Sequence, residues 1–99
     1  MKNLKTEILD FDDKPVGKTY GGILSELLCV MHQQDQSSNL YRYYTLAEKF
    51  KKEESFVFDK EVKEFILEKA GRIASPLVFG RLKDFIDENC KEEWHYFIT

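Results

Sequence analysis

The chain has 99 residues, enough for one small domain with a modest core. Hydrophobic residues make up 42% and charged residues 33%, a globular balance that excludes global disorder. The formal charge of −3 supplies no basic field to gather phosphate, and no apolar run reaches the roughly 18–20 residues of a membrane span, so a cytoplasmic protein is expected.

Residues 4–20 read as extended. Ile8-Leu9 leads into the turn-forming cluster Asp10-Phe11-Asp12-Asp13-Lys14-Pro15, and Val16 resumes a short apolar stretch. A β-hairpin over 1–21 is expected, although adjacent Ile8 and Leu9 break strict alternation. Gly21-Gly22 is read as freeing the backbone for a change of direction. A helix should follow over 22–34, where Ile23, Leu24, Leu27, Leu28 and Met31 line one face. A polar stretch ends it, and Ser38 or Asn39 is placed to cap a helix over 39–53. Leu40, Tyr43, Tyr44, Ala47 and Phe50 form that helix's expected buried stripe, flanked by Tyr41 and Leu46.

Phe56-Val57-Phe58 is either a strand stub or a staple before Asp59, which suits the N-cap of a helix over 60–72. Val62, Phe65, Ile66, Ala70 and Ile73 share a face there; Gly71 fits a C-terminal stop, but Ile73 stays in phase beyond it, so the helix ends at either. Ser75 and Pro76 mark the cap and first position of a helix over 76–89, which buries Val78, Leu82, Phe85 and Ile86. The fold expected is α+β and mainly helical: an N-terminal hairpin, four helices in two antiparallel pairs (22–54 and 55–90), and a 91–99 tail. Trp94, Tyr96 and Ile98 alternate in that tail with His95 and Phe97, which suits a short strand.

Little here supports catalysis. There is no phosphate-binding glycine loop, and the serines have no histidine or carboxylate at a telling spacing. Asp84, Asp87 and Glu88 read as a solvated face. Cys29-x-x-His32 and Cys90-x4-His95 are the nearest approach to a metal pattern, but they lack the tight pairs from turns that zinc sites favour. Cys29 reads as a small core residue. Asp10, Asp12 and Asp13 lack the glycine and distal glutamate of a calcium loop and read as turn residues. No cofactor and no metal are expected.

Contact surfaces are the better prospect. Gly80 in mid-helix costs about 0.5–1 kcal/mol relative to alanine, which a close helix approach would explain. Phe79 beside it, together with Trp94, Tyr96 and Ile98, completes the expected protein-contact set. The tail either docks on its own domain or adds a strand to a partner or a second copy. The alternative is a nucleic-acid surface through Arg42, Lys49, Lys51 and Lys52, interleaved with tyrosines but diluted by Glu48, Glu53 and Glu54. A helix-turn-helix reading of the last two helices fails on chemistry, because Leu77, Val78 and Phe79 would occupy the base-reading positions.

Asp10-Phe11-Asp12-Asp13-Lys14-Pro15-Val16 and Gly22-Ile23-Leu24-Ser25-Glu26-Leu27-Leu28 resemble the opening of small uncharacterised proteins encoded by tailed phages and prophages. Tyr41-Arg42-Tyr43-Tyr44-x-Leu46-Ala47-x-Lys49 and Ser75-Pro76-Leu77-Val78-x-Gly80 are similar to their later part. Those proteins typically place a glycine before Lys-Pro, where this chain has Asp13. The resemblance spans about residues 8–88 and carries no catalytic residues across. It implies an accessory protein that works by protein contact, as an assembly factor or a modulator of a host protein. The tail from Trp94 departs from the shorter ending usual in that group.

Overall fold

The computed structural model describes residues 2–31 and 35–90. A two-stranded antiparallel hairpin, β1 (Glu7–Leu9) and β2 (Pro15–Thr19), precedes four helices: α1 (Tyr20–Cys29), α2 (Leu40–Lys52), α3 (Lys60–Ile73) and α4 (Pro76–Glu88). This is the α+β, mainly helical class read from the sequence. The chain divides into two compact units, Met1–Ser55 and Phe56–Thr99, each holding one helix pair. The expected terminal strand lies outside the described residues.

In the first unit, the hairpin turn is built by Asp10. Its Oδ1 accepts from the backbone N–H of Asp12 at 2.8 Å and of Lys14 at 3.0 Å, so this carboxylate is spent on turn geometry. Asp13 has φ +61°, the left-handed conformation that glycine adopts without cost and aspartate tolerates better than most residues. Ile8 is fully buried and Leu9 half-buried, and the ladder is irregular between Glu7 and Leu9, which absorbs the broken alternation.

Helix α1 begins two residues earlier than expected, and Gly21-Gly22 lies inside its first turn. Thr19 caps it, its Oγ1 accepting from Gly22 N–H at 3.0 Å. The preceding donors are met by the N-terminal segment: Tyr20 N–H donates to Thr6 O at 3.0 Å and Gly21 N–H to Leu4 O at 2.9 Å. Gly21 is therefore a close-approach glycine. A Cβ there would stand 2.3 Å from the Phe50 carbonyl oxygen and 3.0 Å from that of Leu4. Because the start of α1 meets the end of α2, the two helices run antiparallel. Their core is Tyr20, Ile23, Leu24 and Leu28 with Tyr43, Leu46, Ala47 and Phe50, closed by Leu4.

Helix α1 also ends earlier than expected, with Val30 extended after Cys29. Met31 leaves the helical phase and is exposed. Cys29 is exposed as well, because it sits one residue, about 100° of rotation, beyond buried Leu28. Neither Ser38 nor Asn39 caps α2 through its side chain; a short 3-10 turn, Ser37–Asn39, leads into it instead.

In the second unit the caps fall where expected. Asp59 accepts from Val62 N–H at 2.8 Å, and Ser75 accepts from Val78 N–H at 3.3 Å with Pro76 opening α4. Gly71 does not stop α3, which runs on to Ile73 with Ala74 as an extended cap. Phe79 explains its surroundings: the ring edge lies 3.7 Å from where a Gly71 Cβ would be. Late α3 thus meets early α4, and the pair is antiparallel. Phe58 is fully buried, donates its N–H to Asn89 O at 2.9 Å and forms an isolated parallel bridge with Cys90, so the strand-stub reading holds for this one residue. Its ring meets Phe56 and Phe85 edge-on, with centroids 4.9 and 6.1 Å away.

Gly21→Ala is expected to destabilise the protein by about 3 kcal/mol or more, because the obstacle is backbone that cannot move aside cheaply. Gly22→Ala meets only Thr19 Oγ1 at 3.1 Å and should cost about 1 kcal/mol or less. Urea denaturation of the two variants measures the contrast.

Candidate functional site

The outward side of α2 carries the strongest departure from expectation. Helical spacing puts Tyr44 on the buried stripe, yet it is 58% exposed, and Tyr41 beside it is 75% exposed. Leu46 takes the buried position instead. With Tyr43, Leu46, Ala47 and Phe50 fixing the inner face, Tyr44 falls roughly 110° from its centre at about 100° per residue. The two tyrosine rings contact each other, centroids 5.9 Å apart and tilted by 36°. Leu40, Val30 and Met31 are also exposed, and the antiparallel pairing of α1 with α2 puts all five residues at one end of that pair. Tyr43 OH donates to Asp35 Oδ1 at 3.3 Å and ties the connecting segment to the helix there.

The opposite end of α2 is basic. Lys49, Lys51 and Lys52 are exposed and sit in its last turn, where they also complement the helix dipole. Lys52 pairs with Glu48 at 3.3 Å. The fold adds a cation that sequence spacing could not: Lys5 Nζ approaches Lys51 O at 3.4 Å, because Leu4 N–H is bonded to Glu54 O. Arg42 is half-buried, on the flank of the helix.

Of the expected protein-contact residues, Phe79 is half-buried against Gly71, while Gly80 is exposed and a Cβ there would meet nothing within 4 Å. Among the described residues, none approaches Gly80 closely enough to require a glycine there. Trp94, Tyr96 and Ile98 lie outside the described residues, as do His32 and His95 of the cysteine–histidine spacings. Both described cysteines are free thiols. Among the described residues, no group of three or more metal-ligating side chains converges, and no helix is long and apolar enough to cross a membrane.

In the second unit, Asp87 is the centre of an ionic cluster. Asp87, read from sequence as part of a solvated face, is only half-exposed and bridges two lysines. Its Oδ1 stands 2.6 Å from Lys63 Nζ on α3, an ionic contact without hydrogen-bond alignment, and its Oδ2 accepts from Lys83 at 2.8 Å. The Lys83 spacing is legible as i, i+4; the Lys63 partner is not. Burial pushes the Asp87 carboxyl up, and the two lysines together outweigh that, holding it below the ordinary carboxylate range. The sequence gives no sign of the burial of Lys69 either: it is 2% exposed, among the buried residues of α3 with Ile66 and Ala70.

Comparison with protein-family models, with curated proteins and with solved structures returned no match.

Two outcomes are expected. A carboxyl depressed by folding stabilises above its unfolded value of about 3.9 and loses that contribution as pH falls through its folded value. Asp87→Asn should therefore cost about 1–2 kcal/mol near neutral pH, with wild type and variant converging in strong acid, as read by urea denaturation across pH. Gly80→Ala should stabilise by about 0.5–1 kcal/mol, since the new methyl meets open space in a helix interior; thermal denaturation reads it.

Proposed function

We propose that this protein acts by protein–protein contact, as an accessory protein of the phage or prophage type that assembles with, or modulates, another protein. The observation that carries the reading is the exposed tyrosine pair Tyr41 and Tyr44, grouped with Leu40, Val30 and Met31 at one end of a helix pair. Aromatic residues with a polar tip are efficient contact groups, because they bring large area with little rotamer freedom to lose. Gly80 supports the reading independently, as a helix glycine against which none of the described residues packs. Phe79 and the tail residues Trp94, Tyr96 and Ile98 belong to the same proposal.

The test is affinity capture from host lysate with wild type and with Tyr41→Ala/Tyr44→Ala. A specific partner should be retained by the first and reduced at least about tenfold by the second, with unchanged far-UV circular dichroism. Equal capture by both would remove the tyrosine pair from the function.

A second reading, a small nucleic-acid-associated regulator, draws support from the same helix. Exposed tyrosines offer stacking surfaces, and Lys49, Lys51 and Lys52 with Arg42 are joined by Lys5. Glu48, Glu53 and Glu54 set three negative charges among them. A gel shift with single-stranded DNA that weakens steeply with salt would favour this reading; no shift at low salt removes it.

A further inference from the structure

We draw no further inference here: the strongest candidate, the exposed patch of Val30, Met31, Leu40, Tyr41 and Tyr44 at one end of the α1–α2 pair, belongs to the site already described, and nothing in the structure shows what covers it.

Discussion

The first unit depends on one contact between main chains. The Gly21 Cα reaches the Phe50 carbonyl so closely that no side chain fits between them, and the Leu4 carbonyl closes in from the N-terminal segment. The orphan donors of the α1 N-terminus bond Thr6 and Leu4 instead of water, and Leu4 N–H in turn donates to Glu54 O just past α2, so the N-terminal segment ties the two helix ends together. This contact sets the antiparallel pairing of α1 and α2, buries Leu4, Tyr20 and Phe50, and brings Lys5 to the basic end of α2. It also determines what is left outside: with Phe50 and Tyr43 drawn inward, Tyr41 and Tyr44 must face out.

The second unit is organised differently. Its helices start at side-chain caps, Asp59 and Ser75, and are joined by only Ala74 and Ser75, so local chemistry places both. Packing then decides the details. Phe79 lies over Gly71, Phe58 inserts between Phe56 and Phe85, and Asp87 is drawn between Lys63 and Lys83. Partly buried ion pairs of this kind contribute modestly, but leaving one charge behind without its partner is costly. The cluster therefore acts more as a constraint on how α3 meets α4 than as a large source of stability.

Together these features separate residues that folding explains from residues that it does not. Ser75, Pro76, Phe79 and the apolar face of α4 are accounted for by capping and packing. Gly80, Tyr41 and Tyr44 are not: each faces solvent where a cheaper residue would serve the fold as well.

The hairpin, the four helices, the Asp59 and Ser75 caps and most buried aliphatic positions were legible in the sequence, because they follow from local periodicity and from side chains bonding their own neighbouring backbone. The helix bounds and the role of each glycine were not. Gly21-Gly22 looks like a flexible turn and is a helix packing point; Gly71 looks like a stop and lies under Phe79; Gly80 looks like a packing point and faces open space. A glycine's meaning depends on what approaches it, and that comes from residues such as Leu4, Phe50 and Phe79, which only the tertiary structure brings near. The candidate surface behaves the same way. Tyr41 and Tyr44 are adjacent by helical spacing alone and Tyr41 reads as a flanking residue, but whether Tyr44 points in or out was decided by Leu46, which fills the space against α1 in its place.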